Sequence, residues 1–349
     1  MKIIKITILQ FLLVALIISS CKKDDTKKDL LIETVVGTTT PGFEDGPIAT
    51  AKFNRPNGIT IDQAGNLYVT DRENHKVRKI SASGMVTTLA GSGTFGFKDG
   101  HPDSAQFNSP GGIAVDAQGN VYVTDWFNHR VRLITPTSVS TYAGSGFGFV
   151  DGERSVARFN FAKGILLDAS GNFYIADQNN HSIRKISSAG IVSTIAGDGT
   201  KGSTDGPAQS ARFSDPRDVA IDAGGNIYVA DAGNHSIRKI SAAGVVSTLA
   251  GGSQGFADGN GTSAKFDEPK GVAVDKNNNI IVVDQRNHSI RKITPDGTVT
   301  TIAGDGISGD ANSSPVRFNN PRAITIDKTG TFAYIADQGN NLIRKITLY

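Results

Sequence analysis

A chain of 349 residues with 36 basic and 33 acidic side chains carries a formal charge of +3. No global basic field therefore exists to favour nucleic acid. Its single cysteine excludes an internal disulfide or a thiolate zinc site, and its 40 glycines suit many turns between short strands.

The first 20 residues read as a secretory signal peptide. Lys2 and Lys5 form a basic start, residues 6–18 are apolar apart from Thr7 and Gln10, and Ser19-Ser20 are small. Such a stretch is too short and wrongly flanked for a permanent spanning helix. Ile18-Ser19-Ser20-Cys21 resembles a bacterial lipobox, in which the cysteine becomes the first residue and carries lipid. A stray cysteine behind an ordinary signal peptide is the alternative. Acyl chains on Cys21 would bury enough CH₂ groups for stable anchoring. Lys22-Lys23-Asp24-Asp25 resembles the charged export signal after the cysteine of many Bacteroidota surface lipoproteins. The expectation is a lipid-anchored, surface-exposed outer-membrane protein; a periplasm-facing protein on a bland tether is the alternative.

Beyond residue 30 one phrase recurs six times. Its opening phenylalanines are Phe53, Phe107, Phe159, Phe213, Phe266 and Phe318, at spacings of 54, 52, 54, 53 and 52. Self-similarity at that period defines a repeat architecture. In the second copy, residues 112–116 form a β-branched run, 117–120 a turn and 121–125 a second strand. Residues 126–129 are another turn, followed by strands over about 130–135 and over 139–143. Four strands joined by tight turns make one antiparallel propeller blade, and a glycine-containing crossing leads to the next. Strands packed on both faces explain apolar runs that do not alternate cleanly. The sixth copy ends at its third strand, near Ile346. Glu33-Thr34-Val35-Val36-Gly37 has the character of the missing fourth. The fold expected is all-β, a six-bladed propeller whose N-terminal strand completes the last blade and closes the ring. The organisation expected is a signal peptide over 1–20, a lipidated tether over 21–30 and the propeller over 31–349.

Pro56-Asn57-Gly58-Ile59, Asn66-Leu67-Tyr68-Val69-Thr70-Asp71 and Asn74-His75-Lys76-Val77-Arg78 resemble NHL repeats, and their copies cover nearly all of the chain beyond residue 30. Proteins of that class include RNA- and protein-binding modules, a peptide-amidating lyase and relatives of gluconolactonase-type calcium hydrolases. Bacteroidota also display NHL lipoproteins that look like glycan-handling surface proteins. Fold analogy alone does not choose among these.

Two repeated sets invite a metal or catalytic reading. His75, His129, His181, His235 and His288 (Asn341 in the sixth copy) recur at one place in successive blades. They point around a ring and cannot converge on one ion at bond lengths of roughly 2 Å; each is expected to order its own turn. Asp62/Asp71, Asp116/Asp125, Asp168/Asp177, Asp222/Asp231, Asp275/Asp284 and Asp327/Asp337 end the first two strands of each blade. They are expected to cap turns, with Arg78, Arg132, Arg184, Arg238, Arg291 and Arg344 as partners. Phe43, Phe97, Phe149 and Phe256, before Asp-Gly, read as plugs between blades. Lone His101 reads as a solvated loop residue.

Departures from the repeat carry the functional signal. After the repeat proline stand Asn57, Gly111, Lys163, Arg217, Lys270 and Arg322. Four consecutive blades thus present a cation at one mouth of the channel, where a concave surface focuses field. Local salt bridges are the alternative. Asp218 replaces the usual glycine. Trp126 and Phe127 stand where other blades carry polar or small residues, and they suit sugar stacking, protein anchoring or local packing. The innermost strands, such as Ile113-Ala114-Val115, offer an apolar channel wall.

The reading is a non-catalytic binding lipoprotein that holds a glycan or acidic polymer through Lys163, Arg217, Asp218, Lys270, Arg322, Trp126 and Phe127. It expects no cofactor, no metal and no nucleic acid. A scaffold docking to an outer-membrane protein complex is the first alternative. A metal-assisted hydrolase or lyase with its site in the channel is the second.

Overall fold

A computed structural model describes residues 31–348. The expected signal peptide, the tether and Cys21 lie outside the described residues. Six antiparallel sheets succeed one another along the chain. The second blade shows the plan, with strands Pro110–Val115, Val121–Asp125, Arg130–Ile134 and Val139–Ala143, close to the sequence expectation. The sixth blade contains Ala323–Ile326, Phe332–Asp337 and Leu342–Thr347, and its outer strand is the N-terminal Ile32–Gly37. Ile32 pairs with Ile346 and Gly37 with Leu342, so the ring closes as expected. In four blades the crossing adds a fifth, two-residue edge strand, such as Gly206–Pro207 against Val245–Val246, which covers an otherwise open edge.

Each innermost strand packs on the innermost strands of both neighbours, and Ala323–Ile326 returns to Pro56–Ile61. Close approach there explains the repeated glycine. A Cβ on Gly112 would lie 2.5 Å from the Lys163 carbonyl oxygen, inside any real contact distance. Between blades lie six apolar clusters, and the repeat phenylalanines Phe53 to Phe318 are fully buried in them.

Within each blade a fully buried arginine gathers the crossing. Arg184 donates from Nη1 to Asp177 Oδ2 (2.7 Å) and the Arg158 carbonyl (3.0 Å). From Nη2 it donates to Asp151 Oδ1 (2.6 Å) and the Val150 carbonyl (2.8 Å), and from Nε to Asp151 Oδ1 (3.2 Å). All five guanidinium donors are thus satisfied. Asp177 also accepts from the Asn160 N–H and from Asn180 Nδ2. Burial pushes the Asp177 carboxyl up to about 6, against the pull of Arg184 and these donors, and it remains ionised at neutral pH. The first aspartate of each pair caps its turn as expected: Asp168 Oδ1 accepts from Ser170 and Asn172 N–H.

Two expectations are corrected. Phe43, Phe97, Phe149 and Phe256 are exposed and do not plug the gaps between blades. Their rings cover the buried arginines, with the Arg184 guanidinium 5.0 Å from the Phe149 centroid and 5.1 Å from that of Phe159. Nor do the histidines serve only their own turns. Each sits in a left-handed conformation, His181 at φ 48°, and its Nδ1 accepts a backbone N–H from the following blade. His75 takes Ser109, His129 takes Phe161, His181 takes Asp215, His235 takes Glu268 and His288 takes Asn320, at 3.0–3.4 Å. Asn341 Oδ1 closes the circle by accepting the Arg55 N–H at 2.9 Å. A short side chain that tolerates positive φ and offers an acceptor fits this place. His101 is an exposed loop residue that accepts the Asp103 N–H.

Arg238→Ala would leave Asp231 buried without its cation, and is expected to lower stability by about 3–5 kcal/mol in urea titration; a loss below about 1 kcal/mol would refute the clamp. In blade six Arg344 meets Asn312, at 2.7 Å, where other blades use a carboxylate. Amides over 305–316 are therefore expected to exchange faster than those over 146–156, and equal protection would contradict that.

Candidate site at the channel mouth

One end of the channel opens into a cavity of about 250 Å³. The residue after each repeat proline enters the innermost strand there, so Asn57, Gly111, Lys163, Arg217, Lys270 and Arg322 all line the cavity. Its deeper wall is apolar or hydroxylic, with Ile59, Thr60, Ile113, Ile165, Val219 and Ala273. Ring closure thus converts a position 52–54 residues apart in sequence into one cationic rim.

Lys163 and Lys270 are 4% and 5% exposed, and the Arg217 side chain is 15% exposed. Local ion pairs account for two of the four cations. Lys270 Nζ reaches Glu268 Oε2 at 2.8 Å, and Glu268 also holds Arg286 at 2.9 Å. Arg217 lies 3.7 Å from Asp215 and donates to Gln178 Oε1 at 2.9 Å. Lys163 Nζ is buried with no hydrogen-bond partner among the described residues. It stands 3.3 Å from the centroid of the Trp126 ring, and the Arg72 guanidinium lies 5.2 Å from that centroid. Arg322 has no carboxylate within ion-pair distance among the described residues.

Burial, then repulsion from Arg322, Arg217, Arg72 and Lys270, holds the Lys163 ammonium well below the ordinary lysine range. Burial draws Lys270 down to about 7, with repulsion from Arg217 and Arg322 added and Glu268 opposing. Burial, then repulsion from Arg217 and Arg72, holds Arg322 below the ordinary arginine range, with Glu268 opposing and Arg55 adding to the repulsion. Asp218 lines the same cavity and accepts the Val272 N–H at 3.2 Å; burial pushes its carboxyl up to about 7. Cations gathered at a half-dry mouth with few counter-ions would attract an anion placed there.

Trp126 meets the cationic rim through Lys163, whose amine covers its ring, and Phe127 packs against Trp126 at 4.6 Å between centroids. The sequence reading missed Arg72, Arg55, Phe161, Glu268 and Gln178. Arg72 could have been found, because it occupies the Trp126 position one blade earlier. Among the described residues no group of three or more His, Asp or Glu side chains is placed to hold a metal, and no helix is long and apolar enough to cross a membrane.

The NHL repeat model matches residues 53–80, 107–132, 213–240 and 266–293. The chain is a six-bladed propeller in which four blades match the NHL repeat. It is similar to the human "NHL repeat-containing protein 2", with 28% identity over 343 residues, covering 84% of this chain and 46% of the relative. The chain thus spans about half the length of that relative. Among solved structures, a Bacteroides thetaiotaomicron protein of unknown function superimposes with a TM-score of 0.71 at 24% identity, covering 91% of this chain and 76% of that one. An auxiliary nutrient binding protein from the same organism gives 0.69 at 18% identity, with the same coverage.

Lys163→Met removes a buried amine from a cluster of like charges. It is expected to stabilise the protein by about 1 kcal/mol, or about 2 °C in thermal unfolding; a fall in Tm would contradict the electrostatic account.

Proposed function

We propose that the propeller is a binding protein that holds an anionic glycan or acidic polymer at the cationic mouth of its channel. The observation that carries this reading is Lys163, a residue of the cavity wall whose amine is buried against the Trp126 ring and left without a hydrogen-bond partner among the described residues. A buried polar group without a partner is unfavourable by roughly 1–3 kcal/mol, and a carboxylate or phosphate bound there would relieve it. Arg322 and Arg217 beside it offer the planar fork that recognises such anions bidentately. The likeness to auxiliary nutrient binding proteins of Bacteroides is one of fold, and it gives a binding role precedent on this architecture. The further proposal is that lipid on Cys21 anchors the propeller to the outer membrane, exposed at the cell surface.

The first test is a glycan array probed with the purified protein at low and moderate salt. Acidic glycans are expected to bind and their neutral counterparts not, with signal falling as salt rises. The double variant Lys163→Met/Arg322→Gln is expected to bind at least about tenfold more weakly, near 1.4 kcal/mol. Absence of acidic-glycan binding at either salt would overturn the reading and favour protein docking at the same face.

Binding should also depend on pH. A bound anion stabilises the protonated amines, so Lys270, held near about 7 when free, takes up a proton on binding above that pH. Asp218, also near about 7, adds a repelling charge when it ionises. Both effects weaken the complex as pH rises. Isothermal titration at pH about 6 and about 8.5 is expected to show tighter binding at the lower value, with proton uptake at the higher; a flat profile would refute the linkage.

A further inference from the structure

Aromatic side chains continue outward from the mouth across the surface between blades two and three. Lys163 stands over Trp126. Trp126 contacts Phe161 at 5.9 Å between centroids, and Phe127 contacts Phe161 at 5.3 Å. Phe161 meets His129 at 4.6 Å, and His129 meets Phe147 at 5.4 Å. Phe127 is 42% exposed and Phe147 64%, so the row is open to solvent at its middle and outer end.

None of these residues is demanded by the repeat except His129. Where Trp126-Phe127 stand, the other blades carry Arg72-Glu73, Gln178-Asn179, Ala232-Gly233, Gln285-Arg286 and Gln338-Gly339. The Phe161 position holds Arg55, Ser109, Asp215, Glu268 and Asn320 elsewhere, and the Phe147 position holds Phe95, Lys201, Gln254 and Ser308. All six of these positions have positive φ, Phe161 at 59°, Arg55 at 56° and Glu268 at 52°, so the repeat sets the backbone and only the ring is particular to this blade. An aromatic ring placed there, beside other rings absent from most blades, points to use rather than to folding.

Charge is distributed unevenly along this row. Arg72, Lys163, Arg217, Lys270 and Arg322 gather at its inner end. The outer part is poorer in cations: burial, then Arg130, lowers the His129 pKa, which disfavours a charged ring there. Arg130, next in the chain, has its guanidinium bound to the Asn128 and Ser145 carbonyls and stacked on Phe97. A polyanion such as a nucleic acid or a polyuronate needs cations along its whole track, and this track does not offer them.

Resting on the anion-binding reading above, we infer that the ligand is an oligosaccharide of neutral sugars ending in one acidic unit. The acidic end sits in the mouth against Lys163 and Arg322, and the neutral units stack outward over Trp126, Phe127, Phe161 and Phe147. Apolar sugar faces suit exposed aromatic rings, whose hydrophobic area and face geometry supply affinity without charge.

Trp126 is the only tryptophan and lies at the junction, so its fluorescence reports on both parts. Four probes are titrated into the purified protein: free glucuronate, a neutral oligosaccharide ending in glucuronate, the same oligosaccharide ending in glucose, and an oligogalacturonate charged on every unit. The acid-ended oligosaccharide is expected to bind at least about tenfold tighter than free glucuronate, and tighter than the other two. Phe147→Ala, at an exposed outer position, is expected to reduce that advantage while leaving glucuronate affinity unchanged. Lys163→Met/Arg322→Gln, followed by calorimetry, is expected to weaken both acidic ligands equally. Equal affinity for free glucuronate and the acid-ended oligosaccharide would overturn the track while sparing the mouth. Preference for the fully charged oligomer, or for a single-stranded RNA included as a control, would also overturn it. Failure of every acidic probe would overturn the anion-binding reading itself.

Discussion

The buried arginine at the third strand of each blade is the interaction on which the ring depends. Its guanidinium ties the second strand, through an aspartate, to the crossing that arrives from the preceding blade, through two carbonyls and a second aspartate, replaced by Asn312 in blade six. An ion pair in a dry interior is favourable only when the remaining lone pairs and N–H groups are also met. Arg184 meets that condition fully. Because the same contact recurs, long crossings without regular structure of their own are held at one height around the ring. The repeat phenylalanine beneath each guanidinium adds apolar area on the same axis.

Registration of the blades has a functional consequence. Innermost strands close enough to exclude a Cβ leave a narrow channel, and whatever stands where they begin is forced onto one small circle. Four cations on separate surface loops would repel one another weakly through water. On this rim, desolvation strengthens the repulsion, and the ion pairs of Glu268 and Asp215 reach Lys270 and Arg217 but not Lys163. The Lys163 amine instead lies on an aromatic face. Binding sites commonly carry such uncompensated groups at the expense of stability.

The histidine ring teaches a related lesson. Five histidines and Asn341 look like chemistry in a list of residues, yet each hands one acceptor to the following blade. They resemble the arginine clamps in being repeated, and repetition marks them as structural. Singular features behave differently: Trp126, Phe127 and Phe161 occur in one sector and fill places that other blades give to polar or small residues.

Blade number, strand positions, closure by the N-terminal strand and the turn-capping aspartates were legible in the sequence, because a repeat of fixed period imposes the same local physics six times. The four cations after the repeat proline and the odd Trp126-Phe127 pair were legible as departures from it. Which cations find counter-ions was not, since Glu268 reaches Lys270 and Arg286 only through the folding of two separate loops. The role of Phe43 and its equivalents was misread for a similar reason: a recurring phenylalanine gives no sign whether its ring enters a gap or covers a guanidinium. The sequence by itself determined the repeating unit, since local propensity and periodicity act within a blade. Tertiary structure alone decided that Lys163 meets Trp126 and that the aromatic row begins at the channel, since those contacts join neighbouring blades and exist only once the ring is closed.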